Sequence, residues 1–163
     1  MHRDSLRKYR RWLPLPIGFI LWLMTRSLMG LAPTAAAGPQ PNGSVVGCSA
    51  APNCVSTTET RPDHALEPMA LEALSEPFSW SAIVAAVEAE GGRVIASKTD
   101  YLHAVFTTPW MRFHDDVEIA WDASTRRLHL RSASRLGYSD LGANRKRAQR
   151  LRARIAEALD RTE

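Results

Sequence analysis

The stretch RSASRLGYSDLGANRKR, Arg131 to Arg147, is where residue types and spacing offer the most chemistry. Arg131, Arg135 and Arg145 carry guanidinium forks suited to an anion, and Tyr138 adds a hydroxyl. Ser134 and Asp140 are placed to shape such a pocket, and a helix beginning near Asn144 would turn the positive end of its dipole toward it. The expected site is therefore Arg131, Ser134, Arg135, Tyr138, Asp140 and Arg145. Its ligand would be an anionic small molecule, a lipid headgroup or an envelope protein. A competing account is mutual neutralisation across the fold. From Arg126 onward there are 11 Lys and Arg against 4 Asp and Glu, while Cys48 to Thr125 holds 4 against 12.

A second block, RFHDDVEI from Arg112 to Ile119, gathers Asp115, Asp116 and Glu118. Neighbouring carboxylates can bind a hard cation or divide into an acid and a base. Strand alternation sends Asp115 and Asp116 to opposite faces, which disfavours a shared metal. Ser139 lies in GYSDLG, whose second glycine falls one position late for the Gly-x-Ser-x-Gly elbow. No spacing selects His64, His103, His114 or His129 as a base for it. Ser139 and Asp140 read instead as turn and helix-capping residues. The first reading is a non-enzymatic module without cofactor or metal. The alternative is a hydrolase-like enzyme using Asp115, Asp116, Arg131, Ser134 and Asp140.

With CSAAPNCVS (Cys48 to Ser56), these two blocks resemble the domain-of-unknown-function family 1499, over about Cys48 to Ile155. The shared wording is a Cys-x5-Cys, an Arg-Phe-x-Asp-Asp-Val-Glu block and an Arg-Ser-x-Ser-Arg-x-Gly-x-Ser-Asp-x-Gly-x-Asn-Arg block. The resemblance implies a family without a settled activity, in which Cys48 partners Cys54. The two cysteines also read as a disulfide in an exported chain, since a closed zinc site needs four ligands and only His64 is near. Val45-Val46-Gly47-Cys48 has the look of a lipobox, but the apolar run ends well before it.

The chain has 163 residues, enough for one domain, and a net charge of +4. The excess lies before residue 38, in Arg3, Arg7, Lys8, Arg10, Arg11 and Arg26. From Gly38 onward 15 Lys and Arg meet 16 Asp and Glu, so a nucleic-acid partner is not indicated. The basic start, the apolar run Leu13 to Met24 and the small residues Ala35-Ala36-Ala37 form an export leader. Cleavage near Ala37 is expected; if the leader stays, it is a membrane anchor. Either outcome places the domain in the periplasm or on the inner membrane facing it. Arg10-Arg11 leaves both general and twin-arginine export open.

Residues 1–37 thus read as signal peptide or anchor, 38–47 as a linker, and 48–163 as a single domain. Pro52, Pro62, Pro68 and Pro77 keep 48–78 irregular. Ser79 caps a helix whose apolar face is Trp80, Ile83, Val84 and Val87, ended by Gly91-Gly92. Strands follow at Arg93 to Ser97, Tyr101 to Thr107, Asp116 to Asp122 and Arg127 to Ser132. With no helix between them they form an antiparallel meander. Alternation on both sides of Ala123 to Arg126 opposes Trp121 to Leu128, Ile119 to Leu130 and Glu118 to Arg131. A last helix buries Ala148, Leu151, Ile155 and Leu159. The predicted fold is α+β: a four-stranded antiparallel sheet flanked by two helices (α-β-β-β-β-α), with an irregular disulfide-pinned N-terminal arm.

Overall fold

In the computed structural model, which describes residues 14–71 and 79–161, the elements run in chain order. They are α1 (Pro14–Met29), β1 (Cys54–Ser56), β2 (Met69–Ala70), α2 (Trp80–Ala89), β3 (Arg93–Ser97), β4 (Tyr101–Thr107), β5 (His114–Asp122), β6 (Arg127–Ser134) and α3 (Ala143–Asp160). The β5–β6 hairpin has the predicted register: Asp122 faces Arg127, Trp121 faces Leu128, Ile119 faces Leu130 and Glu118 faces Arg131. Both strands run two residues further at their open end than alternation indicated, pairing Asp116 with Ala133 and Asp115 with Ser134.

The sheet is antiparallel and larger than expected. Its order is β1-β6-β5-β4-β3, with β2 also pairing β6. Four strands were predicted, and the region between Cys48 and Leu71 was read as irregular. Instead it supplies β1 and β2 on the free edge of β6, where Val55 opposes Ser132 and Met69 opposes Leu128. Strands of three and two residues carry too little alternation to register as a period. What they do is close an edge that would otherwise expose unpaired main chain.

The helices do not flank the sheet; both lie on one face. The Oγ of Ser79 caps α2 by accepting from Ala82 N–H, and Gly91 follows with φ +88°. Ile83, Ala86 and Val87 of α2 and Ala148, Leu151, Ile155 and Leu159 of α3 pack on Leu102, Ala104, Val117, Ile119, Leu128 and Leu130. This is the core, and the predicted stripe of α3 is buried throughout.

The opposite face is covered by main chain. Residues 32–47, the end of the expected leader and the expected linker, form a strap across it, with Val45 buried against Tyr101 and Ala120. Cys48 and Cys54 are disulfide-bonded and fasten the strap's downstream end to β1. The apolar helix α1 precedes the strap, and among the described residues no helix is long and apolar enough to cross a membrane.

Because the disulfide closes only a small ring, it should pin the strap rather than hold up the sheet. Cys48→Ser is expected to cost about 2 kcal/mol in urea unfolding. Hydrogen exchange should quicken across 38–47 while the amides shared by β4, β5 and β6 keep their protection.

Candidate functional site

Alternation along three neighbouring strands places an unusual set of side chains under the strap. β4 contributes Tyr101 and His103, β5 contributes Asp116 and Glu118, and β6 contributes Arg131, with Arg135 just beyond its end. Asp116 and Glu118 have no exposed surface. Burying carboxylates is tolerable only with cations and donors around them, and these are supplied. Arg135 grips Asp116 with two forks, Nε to Oδ2 at 2.9 Å and Nη2 to Oδ1 at 2.8 Å. His103 Nε2 donates to the same Oδ1 at 2.7 Å. Glu118 accepts Arg131 Nη1 on Oε2 at 2.8 Å and the Tyr101 hydroxyl on Oε1 at 2.8 Å.

The strap completes this network with its backbone. Ala35 N–H donates to Asp116 Oδ2 at 2.6 Å, and the N–H groups of Ala37 and Gly38 donate to Glu118 Oε1 at 3.1 and 2.9 Å. In the other direction, the guanidinium of Arg131 donates to the carbonyls of Ala35 and Gly47, and that of Arg135 to the carbonyl of Ala32. Burial alone would raise the Asp116 carboxyl. The donors His103, Arg135 and Ala35 N–H outweigh it and hold that carboxyl far below the usual carboxylate range. Burial, and then the hydrogen bond to Glu118, push the Tyr101 hydroxyl well above the ordinary phenol range.

Asp115 lies on the helix-bearing face, as alternation requires. Its Oδ2 accepts Arg147 Nη2 at 2.6 Å, and the same guanidinium stacks 4.9 Å from the centre of the Phe106 ring. Asn144, fully buried, ties α3 to the sheet: its Oδ1 accepts from the Ser132 hydroxyl and its Nδ2 donates to Ser134 Oγ and to the carbonyl of Asn53. The first turn of α3 follows Gly142, which has φ +78° and no capping side chain. Asp140 serves in its place, accepting from the N–H groups of Gly142 and Asn144.

The residues expected to form one anion site are therefore spread out. Arg131 and Arg135 lie under the strap, neutralised by Glu118 and Asp116. Arg145 reaches away to the carbonyls of Pro62, Asp63 and Ala65. Ser134 and Asp140 are brought together, lining a cleft of about 240 Å³ with Thr108, Phe113, Asp115, Leu136, Gly137, Ser139, Leu141 and Ala143. Tyr138, between the lining residues Gly137 and Ser139, is itself outside the lining and is 78% exposed. The hydrolase-like set divides too: Asp116 and Arg131 face the strap, while Asp115, Ser134 and Asp140 face the cleft. Among the described residues no cluster of His, Cys, Asp and Glu is arranged to hold a metal ion.

Tyr101 escaped the sequence reading, and His103 entered it only as one of four histidines that no spacing selected. The β4–β5 register sets His103 opposite Glu118 and Tyr101 opposite Ala120. Extending the pairing from β5 to β4 would have placed both on the Asp116 and Glu118 face.

Comparison with protein-family models matches residues 44–155 to a protein of unknown function, DUF1499. The chain belongs to this family. No curated protein matches it. Within the DUF1499 region, both distinctive blocks turn out to meet in space. The Asp-Asp-Val-Glu block provides three buried carboxylates; the Arg-Ser-x-Ser-Arg to Asn-Arg block provides Arg131 and Arg135 for two of them, and Arg147, two residues past its end, serves the third.

Removing a single partner from such a pair strands a buried charge. Asp116→Asn is expected to cost about 3–5 kcal/mol. The folded carboxyl titrates below its unfolded value of roughly 3.9. The stability it supplies is thus complete above that pH and is lost as the pH falls through the folded value. Urea unfolding from pH 7 to pH 3 should show a shallower acid decline in Asp116→Asn than in the wild type.

Proposed function

We propose that the protein is an exported, non-enzymatic binding module that docks a protein partner at the cleft between the β4–β5 loop and the β6–α3 loop. Leu141 carries this reading. Its side chain is 89% exposed and its φ is +53°, a backbone conformation that costs a bulky residue roughly 1–2 kcal/mol and suits glycine better. A leucine held in strain and in water gains nothing from folding. The two loops that form the cleft expose further hydrophobic side chains: Tyr138 at 78% and Leu136 at 40% on the β6–α3 loop, and Trp110 at 78% on the β4–β5 loop. Aromatic and aliphatic side chains around a cavity are the usual anchors of protein contacts.

The size of the cleft favours a partner's side chain over a free small molecule. At about 240 Å³ it falls below the ~300 Å³ at which small-molecule sites begin. An anion finds few unengaged donors here, since Arg131, Arg135 and Arg147 are each bound to a carboxylate. An acid–base pair also lacks a histidine among the lining residues.

Stability and binding should separate at Leu141. Leu141→Gly is expected to raise the unfolding free energy by about 1 kcal/mol, and Leu141→Asp to leave it nearly unchanged. Both should abolish capture of a partner protein by a photo-reactive residue placed at Tyr138 in intact cells. Capture of lipid alone, no capture, or capture unaltered by Leu141→Asp would overturn the reading; a photo-reactive residue at exposed Ala153 provides the control.

A further inference from the structure

The Ala37–Gly38 bond marks a change in how the strap is held. Upstream, between Ala32 and Ala37, the strap contributes main-chain groups and no fully buried side chain. Downstream it is part of the domain. Gly43 N–H donates to the carbonyl of Gln40, Gln40 N–H donates to that of Ser44, and Val45 is 1% exposed. Ser56 and Arg131 hold the carbonyls of Val46 and Gly47, and the disulfide follows at once. At the boundary, Gly38 N lies 2.9 Å from Oε1 of Glu118.

A second observation concerns the other end of the upstream segment. Among the described residues, the one buried side-chain nitrogen or oxygen without a hydrogen-bond partner is Nε2 of His114. Gly30 lies over it; a Cβ there would sit 3.7 Å away. Burying an unpaired polar atom costs about 1–3 kcal/mol, and taking away the segment before Gly38 would return that nitrogen to water.

We infer that the leader is removed by hydrolysis of the Ala37–Gly38 bond and that Glu118 binds the new α-ammonium group as the mature N-terminus. A leader peptidase that cuts after small residues, such as Ala35-Ala36-Ala37, adds one water across the bond. The departing piece keeps a carboxylate on Ala37, and the amine left on Gly38 takes up a proton. Folding then lays this ammonium where the Gly38 N–H lies in the uncut chain. It brings three donors in place of one and takes over the hydrogen bond that Ala37 N–H makes to the same oxygen. The charged and titratable groups around it are Tyr101 of β4, Glu118 and, one step along, Asp116 of β5, and Arg131 of β6, with His103 and Arg135 beyond.

The domain tolerates the loss. Asp116 keeps His103 and both forks of Arg135, and Arg131 keeps Glu118 and the carbonyl of Gly47. Arg135 keeps Asp116. This inference does not depend on the docking cleft proposed above.

The test uses the chain expressed with its own leader in an exporting bacterium and purified from the envelope fraction. Intact mass should show Gly38 as the first residue. Acetic anhydride at pH 7 should then modify the Gly38 amine about tenfold more slowly in the native protein than in urea, the equivalent of a pKa raised by roughly one unit. Exposed Lys98 and Lys146 serve as internal controls. A first residue other than Gly38, or an amine equally reactive in both states, overturns the inference.

Discussion

Everything in this domain is arranged around three carboxylates that sit inside it. Asp115, Asp116 and Glu118 occupy three of four consecutive positions of a central strand and are 3%, 0% and 0% exposed. Desolvating one unpaired carboxylate would erase most of the stability of an ordinary domain. Each is instead met by its own arginine, and the three arginines come from three different places: the middle of β6, the residue after β6, and the second turn of α3. The pairing fixes how β6 lies on β5, where the chain leaves the sheet, and where α3 sets down. Well-packed apolar side chains of similar volume often stabilise a protein as much as buried ion pairs do; what the pairs supply here is a single arrangement in which every charge is satisfied.

The same constraint explains the strap. A sheet face bearing two carboxylates, two guanidiniums, an imidazole and a phenol cannot be sealed by a hydrophobic helix. It is sealed by extended backbone, which offers N–H and C=O groups in alternation and so answers both signs of charge. Small residues suit that task, because alanine and glycine let the main chain come close. The composition that made residues 38–47 look like a linker, small and without apolar period, is what a backbone seal over a polar surface calls for.

This is also where the sequence was hardest to read. Periodicity located α2, α3 and four strands, and complementary alternation set the β5–β6 register residue by residue, because each of those signals is local. The Glu118–Arg131 pair was legible for the same reason. Arg135 with Asp116 and Arg147 with Asp115 were not, since they depend on how far the chain turns after β6, and no local pattern encodes that turn. Arg131 and Arg135 drew attention as donors for a ligand; the register already set Arg131 against Glu118, and the missing information was that Asp116 holds Arg135. The cleft went unnoticed because Phe113, Leu136 and Leu141 come from two separate loops and resemble ordinary hydrophobic residues until the fold brings them together.

One consequence lies in the order of the charges along the chain. The acids come first and their arginines last, with Arg147 the final one of the three. Arg131 arrives with β6 itself, but the arginines of Asp116 and Asp115 lie beyond it, so until that segment has emerged the sheet cannot close with all three acids paired. A nascent chain therefore stays open through most of its synthesis and closes only near its end. Such a delay acts as a built-in timer, written in the sequence of charges.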